Sequence, residues 1–564
     1  MAPPLPLYIP RPVRRRPYFS LWRWLIVALA LALGAYYLPG LFTRPPYTPA
    51  APGLVIEGQD LGAGLVRREK GEVLVPVPVL KEHLDPHLFW DEKEKLLTVT
   101  TADRVVRLPE AKLTAFVNAR PVKLTVPVEV HGSTPYAPLT FLARLYELEV
   151  HYDEHAAVVA VTRRDRPHRT AALRLATPLR SGPSFASVRR AALAAGERVT
   201  VYEEKGIWLH VQAASGLTGY ILRSAASAIS LAPARSSLPT APRPWQPPQG
   251  KVNLTWEYVH RRTPDWTSIG PLPGVNVISP TWFHLATPEG ELTSRADPAF
   301  VRAAHARGLA VWALIGNNFD PDLTRAVLSS TARREKVIRQ LLAYAHLLTL
   351  DGLNIDFENM YRADSRLFVQ FLRELTPLAH AQGLPVSVDV TVPSESENWS
   401  QVYDRKAIAE AADYVALMAY DEHWATSPEA GSVASLPWTE AAIQATLREV
   451  PREKLLLGLP LYTRLWEEHA LPGGGAKVTS TALSLRRARI FLAQNGLTPR
   501  RDPASGQNYV EFTRGATTFK LWLEDETSLQ ARLTLAQKYR LAGVASWQRG
   551  YAEPWVWELL AREL

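Results

Sequence analysis

The chain has 564 residues and a formal net charge of +9, with 47% hydrophobic and 21% charged residues, a globular balance in a chain long enough for about three or four domains. It contains no cysteine, which excludes disulfides, thiolate metal sites and cysteine nucleophiles. The basic excess suits a polyanionic surrounding such as a cell wall or an anionic membrane face; nucleic acid is not expected as a partner, because no dense Lys/Arg stripe follows the first residues.

Residues 1–20 form a basic tail that carries Arg11, Arg14, Arg15 and Arg16. An apolar run from Trp24 to Leu38 follows, with Tyr36 and Tyr37 at its far end and Leu21, Trp22, Leu41 and Phe42 able to extend it. This predicts a transmembrane signal anchor over 21–42, with the N-terminus cytoplasmic and the bulk of the chain extracytoplasmic. A cleaved signal peptide is the rival reading and would make the protein secreted; Leu33-Gly34-Ala35 is a poor cleavage site for it. Residues 43–53 are a Pro-rich spacer, and 54–165 read as short strands and turns. Within them Phe89-Trp90-Asp91-Glu92 before LLTVTT and His151-Tyr152-Asp153-Glu154 before VVAVTR form a weak repeat. The stretch from Phe116 through the second copy resembles the stalk-like N-terminal domain of copper amine oxidases. No metal is expected with it, since His83, His87, His131, His151 and His155 lack a compact ligand spacing.

Residues 168–230 carry Leu179-Arg180-Ser181-Gly182-Pro183, Gly196-Glu197-Arg198-Val199, Trp208 and Gly219-Tyr220-Ile221. These resemble a bacterial SH3-like barrel, which implies wall-peptide binding; Trp208 and Tyr220 read equally well as plain core. Residues 232–249 are a second Pro-rich linker, extended and semi-rigid.

From 251 to 564 apolar β-rich runs alternate with helical stretches, the pattern of parallel βα units. Candidate strands begin near Val252, Val275, Ala310, Gly352, Val386, Tyr414, Leu455 and Gly543, and eight such units predict a (β/α)₈ barrel with its chemistry at the C-terminal strand ends. The fourth strand is the most informative: Asp351-Gly352-Leu353-Asn354-Ile355-Asp356-Phe357-Glu358. Alternation turns Leu353, Ile355 and Phe357 toward the helices and Asn354, Asp356 and Glu358 into the barrel. An acid at the top of the file, backed by a second acid, is a proton-donor arrangement, because the neighbouring carboxylate disfavours ionisation of Glu358.

This segment resembles the signature of family 18 glycoside hydrolases, the chitinase family, through Asp351, Gly352, Asp356 and Glu358. Asn354 departs from it, standing where many chitinases have a third Asp; peptidoglycan- and spore-cortex-cutting members often share the Asn-Ile-Asp-Phe-Glu form. Met418-Ala419-Tyr420-Asp421 resembles the family's Met-x-Tyr-Asp, and Trp547 its sugar-flooring tryptophan. The resemblance implies retaining catalysis assisted by the substrate's own acetamido group, an exception among glycosidases. It implies Glu358 as general acid and base, Asp356 and Tyr420 on the acetamido group, and Asp421 on the distorted sugar. Trp547, Tyr462, Asn354, Met418, Trp282 and Asn317 are expected to bind substrate, with Asp351 and Gly352 as a structural motif and no metal or cofactor. Glu422 and His423 are open between substrate contact and a surface loop. Trp312 and Trp424, like Trp282, are open between cleft and packing. The expected function is hydrolysis of N-acetylglucosamine linkages in wall peptidoglycan or spore cortex. A chitinase, or a non-catalytic lectin-like wall binder, stays open beside it.

Overall fold

The computed structural model describes residues 26–28, 52–235, 250–471 and 475–564. The expected anchor over 21–42 therefore lies, but for three residues, outside the described residues, as does most of the linker 232–249. Among the described residues no helix is long and apolar enough to cross a membrane. The chain divides into two compact units. One joins the residues up to Arg67 with Tyr146–Ser236, and the other joins Arg68–Leu145 with Ser237–Leu564. The two copies of the weak repeat both form antiparallel hairpins, Phe89–Asp91 with Leu96–Thr100 and Leu148–Asp153 with Val158–Arg163, but they belong to different units.

In the first unit a seven-stranded sheet runs from His168 to Ala232. Alternate residues of its strands, among them Leu179, Val199, Val201, Leu209, Val211 and Ile221, fill its core. Gly219 lies so close to the neighbouring strand that a Cβ there would stand 2.4 Å from the Arg180 carbonyl oxygen. Trp208 is buried, edge-on to Phe185 at 5.1 Å, and Phe185 itself is exposed.

In the second unit eight parallel strands close a barrel: β1 (Val252–Glu257), β2 (Val277–Leu285), β3 (Ala310–Gly316), β4 (Gly352–Asp356), β5 (Val386–Thr391), β6 (Tyr414–Met418), β7 (Leu455–Pro460) and β8 (Gly543–Trp547). β1 pairs with both β2 and β8, which removes the sheet edges. Seven strands begin at the residues expected from their apolar runs. β2 starts two residues later than expected, because Val275 and Asn276 are spent in the turn: the Asn276 amide donates to the Lys251 carbonyl at 2.8 Å and its oxygen accepts from Asn253 N–H at 2.9 Å. Leu353, Ile355 and Phe357 pack outward against the helices, while Val252, Leu254, Trp256, Trp312, Leu314 and Leu456 fill the barrel interior.

Helices follow the strands under local instructions. α1 (Pro321–Leu328) starts on Asp320, whose carboxylate accepts from the N–H groups of Asp322 and Leu323, both at 3.0 Å, with Pro321 in the first turn. α2 (Thr331–Leu348) starts on Ser330, and α3 (Ser365–His380) packs beside it. Between β7 and β8 an antiparallel sheet of five strands, from Tyr462 to Leu523, is inserted. The sequence reading passed over it, although Pro472-Gly473-Gly474 and Ser505-Gly506 stand between its strands as turn signals.

The five-stranded meander Phe89–Lys123 docks on α2 and α3 through charge. Asp91 accepts from the Thr331 hydroxyl at 2.7 Å, adding a cap to α2. The Arg107 guanidinium lies 3.5 Å from both Glu335 and Glu374. Glu374 is fully buried and accepts from Arg334 at 2.8 Å, whose guanidinium lies 5.0 Å over the Phe89 ring. A buried carboxylate of this kind persists because it is paired on more than one side.

Candidate active site

The inward file of β4 rises from Asn354 through Asp356 to Glu358, which sits just past the strand end. Glu358 is clamped by its backbone. Its N–H donates to Asn317 Oδ1 at 3.0 Å, and its carbonyl accepts from Asn317 Nδ2 at 2.7 Å. The same Nδ2 donates to the Thr324 hydroxyl on α1 at 2.8 Å. One residue earlier, the Phe357 carbonyl accepts from the buried Tyr403 hydroxyl at 2.8 Å. The backbone bearing the acid is thus held from two sides.

Asn317, expected to bind substrate, is buried with its amide fully engaged in this clamp, and its role is corrected to positioning. Asn354 is likewise no substrate contact. It is completely buried, its oxygen accepts from Trp256 Nε1 at 2.8 Å and Ser279 Oγ at 3.1 Å, and its Nδ2 donates to Asp389 at 2.8 Å. Trp282 is also corrected. A register shift between Thr281 and Phe283 in β2 puts both Trp282 and Phe283 in the outer core. There Trp282 lies edge-on to Phe300 at 5.6 Å and donates to the Thr263 hydroxyl at 2.8 Å.

At the foot of β4, Asp351 accepts from Val311 N–H at 2.8 Å and contacts His305 Nε2 at 2.7 Å. A Cβ on Gly352 would meet the Trp312 ring at 2.5 Å. Trp312 is buried and stacked on Tyr414 at 5.5 Å, whereas Trp424 is exposed. Met418 is buried at the end of β6. Tyr420 follows, its ring edge-on to Tyr462 at 6.4 Å. Asp421 takes a left-handed backbone (φ 58°) at the tip. Its carboxylate accepts from the Tyr462 hydroxyl at 2.5 Å and from Arg464 at 3.3 Å. Glu422 accepts from the Ser435 N–H and hydroxyl, and His423 Nδ1 contacts the Ser432 carbonyl oxygen at 2.9 Å; both are tied into their own loop. Trp547 ends β8 half-buried, edge-on to Trp256 at 5.9 Å and Tyr258 at 6.2 Å. Tyr258, Phe319 and Trp399 stand exposed after β1, β3 and β5, with the Phe319 and Trp399 rings 6.0 Å apart.

Desolvation governs the electrostatics. It pushes the Asp356 carboxyl up to about 7. It raises Glu358 well above the carboxylate range, helped by the charges of Asp356, Asp389 and Asp421. Burial raises the Tyr420 phenol too, so it stays a hydrogen-bond donor at neutral pH. Two side chains that the sequence reading passed over belong to the site. Asp389, buried on β5, lies in VSVDVT, where the same alternation that selected Asp356 turns it inward. Arg464 reaches Asp421 from the inserted sheet, and nothing local in the sequence marks it. A barrel top with an acid raised toward its neutral form, a carboxyl beside it, a phenol donor and a tryptophan at the end of β8 suits acid–base chemistry on a ring substrate.

Comparison with known proteins agrees with this geometry. Residues 279–552 match the glycosyl hydrolases family 18 model, 64–161 the copper amine oxidase N-terminal domain and 176–227 the bacterial SH3 domain. The chain is 26% identical over 287 residues to the uncharacterized glycosylase YvbX of Bacillus subtilis, covering 48% of this chain and 80% of that one. It is 26% identical over 247 residues to the cortical fragment-lytic enzyme of the same organism, covering 43% of this chain and only 56% of that one. The solved C-terminal domain of a putative chitinase from Desulfitobacterium hafniense shares the fold, with a TM-score of 0.51 at 24% identity, over 56% of this chain and all of that one. The C-terminal barrel thus contains a family 18 glycosyl hydrolase domain, with a copper amine oxidase N-terminal domain and a bacterial SH3 domain ahead of it.

Proposed function

We propose that the protein is an extracytoplasmic hydrolase that cuts N-acetylglucosamine linkages of wall peptidoglycan or spore cortex. The observation that carries this reading is Glu358 at the end of the β4 file above Asp356, on a backbone fixed by Asn317, where burial and neighbouring acids raise its carboxyl. Glu358 donates its proton to the glycosidic oxygen as that bond breaks. The acetamido oxygen of the sugar attacks the anomeric carbon from the opposite face, so the configuration is retained. Asp356 accepts from the acetamido N–H as the oxazolinium ion forms, and Tyr420 donates to its oxygen. Trp547 floors the sugar, and Asp421 holds it in a distorted shape. Glu358, now ionised, takes a proton from the water that opens the ring. Cortex and peptidoglycan rank above free chitin because a named relative is a cortical fragment-lytic enzyme and because the SH3 domain suits wall peptides. The basic tail and apolar run over 21–42 support a single-pass membrane anchor; a reporter fused at residue 60 that worked only in the cytoplasm would refute it.

The test is digestion of peptidoglycan, cortex and chitin oligomers by the wild type and Glu358→Gln, with products read by mass spectrometry. Wild type is expected to release N-acetylglucosamine-ended fragments, and the variant to be slower by at least about 10²–10⁴-fold. Binding without cutting by both proteins would replace the hydrolase reading with a lectin-like one.

A further inference from the structure

Asp389 is a completely buried carboxyl in a barrel whose other inward residues are largely apolar. Burying such a group without a purpose or a partner is costly. Its partner is unusually well defined. The Asn354 oxygen is already taken by Trp256 Nε1 and Ser279 Oγ, so the Asn354 NH₂ must face Asp389, to which it donates at 2.8 Å. This orients the amide as a donor to a carboxylate oxygen. In the parallel pairing of β4 and β5, Ile355 lies opposite Val388, and Asp356 and Asp389 are the next residues on their strands. The Asp356 Oδ1 atom is itself buried with no hydrogen-bond partner. Two acids side by side at this depth cannot both ionise.

We propose that Asp389 is a positioning residue that supplies, from β5, the carboxylate behind Asp356 that Asn354 does not supply from β4, so that Asp356, Asp389 and Glu358 share protons and keep Glu358 in its acid form. The role rests on the hydrolase reading above, but the protonation of Glu358 is measurable without a substrate. The groups facing this cluster are Asp356 and Glu358 from β4, Tyr403 and Tyr420 beyond β5 and β6, and Asp421 at the rim. Burial and the Asp356 charge both push the Asp389 carboxyl up, against the opposing hydrogen bonds from Asn354 and Trp256.

The experiment follows the protonated-carboxyl band of Glu358 by pH-difference infrared spectroscopy of the full chain, assigned by subtracting Glu358→Gln. Removing this acid from the proton-sharing cluster with Asp389→Asn should lower the Glu358 midpoint by about one pH unit, and lower the alkaline limb of the rate profile with it. Asn354→Asp, which adds an acid beside Asp389, should raise the midpoint. The double variant Asn354→Asp/Asp389→Asn, which moves the acid back to β4, should return it toward wild type. A midpoint unmoved in Asp389→Asn, or a downward shift in Asn354→Asp, overturns the proposal. The second variant also answers the question if the first does not fold. Should the wild type cut no glycan while the midpoints move as stated, the hydrolase reading fails and the proton sharing stands.

Discussion

Asn317 offers the sharpest test of how the fold holds the chemistry. Asn317→Ala deletes an acceptor for the Glu358 N–H and a donor to the Glu358 carbonyl, along with the bond to Thr324. Two backbone groups lose their partner in a site that is largely shielded, at roughly 1–3 kcal/mol for each group left unsatisfied. A total near 3 kcal/mol is expected in urea unfolding of the barrel unit, less whatever water recovers. The larger effect falls on rate. A displacement of about 1 Å in the donor costs on the order of 10²-fold, and the Asn317 side chain is itself buried. Hence kcat should fall on that order while KM stays nearly constant, measured on an N-acetylated oligosaccharide. The opposite split, a raised KM with kcat kept, would show that Asn317 binds substrate after all. A loss of stability with both constants unchanged would show that the clamp does not position the acid.

Two further predictions come from buried charge. The Asp356 carboxyl is raised in the folded state, so its contribution to stability is complete below the ordinary value near 3.8 and is lost as pH climbs through about 7. Asp356→Asn, which cannot ionise, should therefore melt close to wild type at pH 4 but gain roughly 4 kcal/mol at pH 8, the linkage value of a carboxyl raised from 3.8 to about 7. An equal difference at both values on calorimetry would remove ionisation as the cause. Arg107→Ala should destabilise the barrel unit by about 2 kcal/mol. This is less than the roughly 3–5 kcal/mol of a buried pair broken outright, because Glu374 keeps Arg334. An unchanged urea midpoint would mean that the docked meander contributes no charge to α2 and α3.

What could be read from the sequence follows the reach of each physical rule. The barrel was legible because parallel strands buried on both faces announce themselves as apolar runs, and the Asp356–Glu358 file because a polar residue facing inward has few structural excuses. The same alternation placed Trp282 and Asn317 at strand ends but could not tell what they face. In β2 a register shift turned Trp282 into the outer core. Just past β3 the amide of Asn317 turned sideways to the backbone that follows β4. Periodicity assigns a side, and only pairing geometry assigns a partner. Arg464 escaped because it acts through a contact distant in the chain. Asp389 escaped for another reason. It stands in a strand whose apolar outer face dominates the pattern, so it reads as an interruption, although it is the inward residue next in line beside Asp356. The departure at Asn354 and the acid at Asp389 each look like a loss or an accident when read along one strand. Only the hydrogen bond between them makes them one arrangement, in which an amide on β4 holds the carboxylate that β5 provides, and this is why the acidity of the site follows from two strands together and from neither alone.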